Sequence, residues 1–407
     1  MSKDVFQNKS GITAKIALVN IILIVNVFVW YFYAFTILEE IIKGLELTYF
    51  ENLALWASNF IAAATSALVG AILTNRLSRR APFLLFWMLI GVIFSLTPIL
   101  VNIAAITGAL IVSLLFGISF GLGIPSCMGY FTRCTTTENR ARLGGILFFL
   151  TGLGTFSLGM LPISSIVTRV LILSVWRGLG LIAFIGIKQS EMPTKISTVS
   201  YSSILTQRSF LLYFIPWIML CLVNYSTVPV TIKFFNEDLV RFSGVIESAL
   251  IGGFAIIGGF ISDIIGRKRM AIVGFVMIGL GYAALGIYPG NFSWYSYTVV
   301  DGIAWGIFFT IFLMTLWGDL AYDAPSEKYY ALGGLPFLLS NFLQIVVGSY
   351  IAERVSVYAV FSLAAFFLFL AVIPLMYAPE TLPEKKIRER ELKGYIDKAK
   401  KVKEKYT

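Results

Sequence analysis

The sequence predicts an all-α integral membrane protein, with twelve transmembrane helices arranged as two pseudo-symmetric six-helix bundles. Three observations carry that expectation. Of 407 residues, 58% are hydrophobic and only 13% charged, whereas soluble domains carry about 25% charged residues. The apolar residues gather into twelve runs, each near the roughly 20 residues that a helix needs to cross hydrocarbon. Polar punctuation in the first half of the chain also recurs in the second half at a nearly constant distance.

Taken in order, residues 1–14 are polar and lack a cleavable leader pattern, so the first run, 15–38, is expected to stay in the protein. Runs 52–74, 82–102, 105–130, 144–165 and 168–188 complete a first bundle, assigned to residues 1–188. The longest polar gap follows. Residues 189–209 are rich in Ser and Thr with one proline, as a linker should be. Runs 210–234, 243–262, 270–288, 295–319, 332–352 and 355–377 form a second bundle, assigned to 210–379. Residues 380–407 are a basic tail whose mixed-charge pattern reads as a solvated or lipid-surface helix.

The net charge of +10 invites a nucleic-acid reading, but its distribution argues against one. Alternate loops counted from the N-terminus hold sixteen cations, among them Arg76, Arg79, Arg80, Arg133, Arg140, Arg142, Arg267, Lys268 and Arg269. The other side holds five: Lys43, Arg169, Lys233, Arg241 and Arg354. By the positive-inside rule both termini are cytoplasmic and the chain is a multi-pass protein of the cell membrane. Cys127, Cys134 and Cys221 have no paired spacing, and there is no histidine, so a disulfide framework, a zinc site and a histidine relay are not expected. Gly-rich phosphate loops and paired catalytic carboxylates are also missing, which reads as no enzyme and no cofactor.

The repeat is specific. At an offset of 189 the pairs Gly117/Gly306, Gly129/Gly318, Glu138/Glu327, Leu143/Leu332 and Gly144/Gly333 coincide without a gap. "GAILTNRLSRRAP" from Gly70 and "GGFISDIIGRKRM" from Gly258 share an opening motif 188 positions apart. Parallel repeats of this kind build several secondary transporters. The second stretch resembles the signature loop of the major facilitator superfamily through Gly258, Asp263, Gly266, Arg267 and Lys268. The first keeps Gly70, Arg76, Arg79 and Arg80 but has Asn75 for the usual aspartate and Ser78 for the glycine. "ENRARLGG", "SEKYYALGG" and "APET" resemble further loops of the family. Independently of the family, glycine at Gly266 suits a tight reversal with positive φ, and a carboxylate at a helix end can cap a neighbouring helix. The resemblance implies that these loops latch the two bundles at the inner face. Asn75 weakens that latch, because an amide cannot supply the implied ion pair.

The resemblance also places a cavity among helices 1, 4, 7 and 10. Asn26, Trp30 and Tyr33 share one face of the first span. Asn224 and Tyr225 precede Pro229, which frees a carbonyl in span seven. Trp305, with Asn341 and Gln344 one turn apart, completes a neutral, amide- and aromatic-lined candidate set. For the amides the competing reading is helix–helix glue; for the aromatics it is packing and interface belts.

Ionisable residues inside a membrane are functional candidates. By helix rise, Asp301 lies about 27 Å from Asp319 and Glu247 about 24 Å from Asp263, which puts both in the outer third. They are candidate ion-coupling or outer-gate residues, or else solvated helix starts. Arg177 falls near the midplane of span six, as either an anion site or, by resemblance, a structural residue.

Ser113 stands where proton-driven relatives often carry an arginine, and span one has no carboxylate, so proton symport has no positive signature. The helix-five antiporter pattern is absent too, because Pro162 follows Leu161. The chain therefore reads as a monomeric secondary or facilitative carrier that moves a small, neutral polar, sugar-like solute by alternating access, with protons as a candidate partner. The alternatives are efflux of an amphiphile or lipid, and a non-transporting receptor on the same fold.

Overall fold

The computed structural model describes residues 14–187, 199–235, 237–322 and 324–382. Its helices are α1 (Ala14–Lys43), α2 (Tyr49–Asn75), α3 (Ala81–Ser95), α4 (Ile106–Cys134), α5 (Arg140–Gly159), α6 (Ile166–Gly186), α7 (Arg208–Phe235), α8 (Glu237–Ile265), α9 (Arg267–Ile287), α10 (Asn291–Ala321), α11 (Glu327–Arg354) and α12 (Val357–Tyr377). Among the described residues, eleven helices are long and apolar enough to cross a membrane, and α3 is a shorter apolar helix. Every predicted span is thus a helix. The tail beyond residue 382, the start of the linker and residues 1–13 lie outside the described residues.

Helix ends depart from the apolar runs for physical reasons. Both α5 and α11 begin upstream of their runs, at Arg140 and Glu327. A charged residue at a helix start is stable there because it is ion-paired to the other bundle. The fifth helix stops at Gly159, short of the expected 165. Pro162 disfavours helical backbone in the residue before it. The third breaks at Leu96, one turn before Leu100. Pro98 has no N–H for the Phe94 carbonyl, and the Thr97 hydroxyl donates to that carbonyl instead (2.7 Å).

Two helices carry wide turns that sequence periodicity did not reveal: Ile21–Val25 in α1 and Phe309–Thr315 in α10 are π-helical. Such bulges are frequent at functional sites. α4 is interrupted at Leu122 and resumes at Ile124, with Pro125 in its new first turn. The breaks in α4 and α10 face the space between the bundles.

The two bundles, α1–α6 and α7–α12, meet along α5 against α8 and α2 against α11. At α5/α8 the approach is backbone on backbone. A Cβ on Gly145 would stand 2.1 Å from the Ala255 carbonyl oxygen, and one on Gly259 would stand 2.4 Å from that of Ala141. Small residues are how membrane helices come this close. α3 packs against α6 and α9 against α12. Between the bundles the short helix Tyr201–Leu205 touches both: Tyr201 Oη donates to the Leu68 carbonyl (2.7 Å), and Lys328 Nζ lies 5.2 Å over the Tyr201 ring.

Candidate functional site

One end of the molecule collects the starts of α1, α3, α5, α7, α9 and α11 and most of the loop arginines. Here the loop Ile265–Arg267 turns on Gly266 at φ 108°, a conformation that only glycine adopts without strain. A side chain would also collide with Glu380, whose carboxylate accepts from the Arg267 N–H (2.8 Å) and the Lys268 N–H (3.2 Å). The "APET" glutamate therefore caps α9, where a carboxylate is favoured by the helix dipole.

Asp263, at the other side of this turn, is fully buried and reaches across to the first bundle. Its oxygens accept from the backbone N–H of Ala141 (3.3 Å) and Arg142 (2.9 Å) at the start of α5, and its charge pairs with Arg142 and Arg267. Asp319, at the end of α10, pairs with Arg140 and Arg267. The ion pairs between bundles that such a latch needs are thus made in the second half.

Asn75 is buried, with its Oδ1 unpartnered. The expected weakness in the first half is met by a residue from the opposite bundle. Glu327, at the start of α11 with no accessible surface, pairs with Arg80 and Arg133, both at 2.8 Å. Gly129 on α4 makes room for it, since a Cβ there would sit 2.5 Å from Glu327 Oε1. Each of these four ion pairs between the bundles joins an arginine of the first to a carboxylate of the second.

Just inside this latch lies a cavity walled by both bundles. Phe28, Tyr31 and Phe32 of α1, Phe120 and Met128 of α4, Phe312 and Trp317 of α10, and Tyr330 and Phe337 of α11 line it. The breaks in α4 and α10 supply Gly121, Ile124 and Leu313 to the same wall. The lining is aromatic and aliphatic. Its spare polar groups are the Tyr31 hydroxyl and the Trp317 indole N–H, both buried without a partner. At the opposite end the bundles touch without charge, through Tyr49 Oη donating to the Val346 carbonyl (3.0 Å) and Phe60 against Phe342.

None of the eight residues read from the sequence as cavity candidates lines this space; Tyr31, between two of them, does. Asn26 ties α1 to α6, with its Nδ2 donating to the Trp176 carbonyl (2.7 Å) and its Oδ1 accepting from Arg177 (3.0 Å). Trp30 donates to Ser95 Oγ (2.7 Å), and Tyr33 packs under Arg169. Arg177 is fully buried 4.1 Å over the Trp87 ring, with Nε and Nη2 unpartnered. It forms one knot with Asn26, Trp30 and Trp87, and a Cβ on Gly91 would fall 2.5 Å from its Nε. Tyr225 meets the cavity residue Phe337 edge-on (5.8 Å), while Asn341 and Gln344 are half-buried on α11.

Asn224 and Trp305 belong to a polar cluster inside the second bundle. Asp301 is buried, shares a hydrogen bond with Glu247 and has the Trp305 indole as a further partner. Tyr297 Oη lies 3.0 Å from Asp301 Oδ1 and 2.9 Å from Tyr282 Oη, which donates to Asn224 Oδ1 (3.0 Å). The two carboxyls are therefore an interior pair, unlike the solvated helix starts that depth alone allowed. Sequence spacing could not have joined residues 224, 247, 282 and 301, which sit on four helices.

The profile of the Major Facilitator Superfamily matches residues 19–316. Solved structures with the same fold include the proton:xylose symporter XylE bound to 6-bromo-6-deoxy-D-glucose, at 14% identity and TM-score 0.66, covering 90% of this chain and 96% of that one. FucP in the outward conformation superposes with TM-score 0.70 at 10% identity, over 88% of this chain and 98% of its own. The human organic anion transporter MFSD10 gives TM-score 0.64 at 12% identity, over 88% and 98%. A sequence search of curated proteins finds no match. At such identities the neighbours speak for fold alone, but the profile spans most of the chain, and with two latched six-helix bundles around a shared cavity this protein belongs to the major facilitator superfamily.

Proposed function

We propose that the protein is a secondary carrier that takes a small organic solute into the aromatic cavity between its bundles and exposes it alternately to the two sides of the membrane. The observation that carries this reading is the position of that cavity: both bundles build it, and the arginine–carboxylate latch closes it at one end. By the positive-inside rule we assign the latched end to the cytoplasm. This conformation is then closed inward, and opening inward requires the latch to part.

The lining favours a solute with an apolar or aromatic body and one or two hydrogen-bond acceptors, placed to meet Tyr31 Oη and the Trp317 N–H. A sugar would leave most of its hydroxyls unpaired against this wall, which costs free energy for each one. The preference thus moves from the sugar-like solute read in the sequence to the amphiphile that was its alternative. The test is a thermal-shift comparison of aromatic amphiphiles with monosaccharides, followed by counterflow in proteoliposomes. We expect amphiphiles to stabilise the protein and Tyr31→Ala with Phe312→Ala to abolish the effect. Stabilisation by monosaccharides alone, undiminished in those variants, would overturn the assignment. Ligand binding with no counterflow would point to a receptor.

Glu247 and Asp301 are the proposed proton-coupling pair. Two carboxyls that share a hydrogen bond hold at least one proton between them, so the pair can exist in singly and doubly protonated forms.

A further inference from the structure

The hydrogen bonds that leave this pair form a chain whose direction can be worked out. The Asn224 side-chain oxygen is an acceptor only, so the Tyr282 hydroxyl hydrogen points to it (3.0 Å). Thr227 Oγ1 donates to the Asn224 carbonyl (2.7 Å), and it also lies 2.8 Å from Tyr282 Oη. With its hydrogen committed, Tyr282 Oη is an acceptor toward Tyr297 (2.9 Å). Tyr297 has one hydrogen. If that hydrogen goes to Tyr282, the contact with Asp301 Oδ1 (3.0 Å) is bonded only when Asp301 is protonated and donates. If Asp301 has no proton to give, Tyr297 must donate to it. Tyr297 Oη, at 2.9 Å, then becomes an acceptor for the Tyr282 hydrogen, which can turn back toward it and release Asn224.

We infer that Tyr297 and Tyr282 relay the protonation state of the Glu247–Asp301 pair to α7, so that the doubly protonated pair clamps Asn224 and loss of a proton frees it. This rests on the proposed role of the pair in coupling. The titratable groups facing Asp301 are Glu247 from α8, Tyr282 from α9 and Tyr297 from its own helix, while α7 presents Asn224 and Thr227, which do not titrate. Helix α7 is suited to respond, because Pro216 and Pro229 lie inside it on either side of Asn224 and prolines are where helices bend. The next residue, Tyr225, packs on Phe337 of the cavity wall. Proton occupancy deep in the second bundle is thereby transmitted to the solute cavity.

The experiment is hydrogen–deuterium exchange of the full-length protein in nanodiscs, read as protection factors for residues 220–235 at acidic and mildly alkaline pH. The probe is the proton, so no solute is needed. Wild-type protection should fall about fivefold toward alkaline pH, the scale of one net hydrogen bond. Tyr297→Phe cuts the chain but leaves Tyr282 on Asn224, so it should stay protected at both pH values. Tyr282→Phe removes the clamp and should be weakly protected at both. A purely structural role would move both variants in one direction, and that outcome overturns the relay, as does wild-type pH dependence retained in Tyr297→Phe. Asp301→Asn separates the two layers: it should lock protection high, and if it instead keeps the wild-type pH dependence, the coupling pair itself is misassigned.

Discussion

Asp263 and Asn75 occupy one position of the repeat, 188 residues apart, and both are buried, yet only the first has found partners for its side-chain oxygens. Because Asp263 and Arg267 have no accessible surface, Asp263→Asn breaks a buried pair, which costs about 3 kcal/mol or more; a partly exposed loop would lose far less. Single-cysteine labelling checks this: with Cys127, Cys134 and Cys221 removed, Ala331→Cys in the cavity wall should react faster from the latched end once Asp263→Asn is added. Glu327→Gln should do the same, since it removes the charge that pairs with both Arg80 and Arg133. Asn75→Asp should not tighten the latch, because Glu327 already holds two arginines at this end. The sequence marked Gly266, Asp263 and the gap left by Asn75. It did not disclose that Glu327 fills the gap, since the matching Glu138 makes the pair look like mere repeat symmetry.

At the scale of helices, the legible part was whatever depends on local composition: which runs form helices and in what order, though not where each one ends. The π-turns in α1 and α10 have no local signature, and the one in α10 supplies Phe312 and Leu313 to the cavity wall. Tyr31, Phe120, Phe312 and Phe337 are apolar aromatics in apolar helices, which a sequence cannot tell from packing residues. The prominent amides proved to be links, Asn26 to α6 and Asn224 to α9. The α5/α8 crossing yields a matched prediction. Gly145→Val forces a side chain into the Ala255 carbonyl and should lower stability by about 1–3 kcal/mol, read as a clear drop in melting temperature in detergent. Gly152→Ala, on the same helix with nothing within 4 Å of its Cβ, should leave it unchanged.

For the whole molecule, orientation and coupling are the properties to test. Ser78 lies at the latched end, and exposed Glu46 lies at the other. A cysteine at position 46 should react with an impermeant maleimide added outside intact cells, and one at position 78 only after permeabilisation; the reverse pattern would invert the orientation. Replacing Glu247 by Gln together with Asp301 by Asn should abolish gradient-driven accumulation of the solute while leaving counterflow. Accumulation that survives would remove the pair from the coupling mechanism.

The polarity of the latch has a consequence for how the chain assembles. Arginines face outward from the first bundle and carboxylates from the second, so unlike bundles attract while like bundles repel. Glu327 of the second bundle pairs with two arginines of the first, and Arg140 of the first pairs with Asp319 of the second. Expressed as two polypeptides divided within the linker, the bundles should therefore find one another in the bilayer and co-purify as a one-to-one complex. Reversing Glu327 and Asp319 to lysine should abolish that complementation, and reversing Arg80, Arg133 and Arg140 to glutamate in the partner fragment should bring it back. Recovery by the swapped pair would mean that charge sorting, more than the covalent linker, selects which bundle meets which.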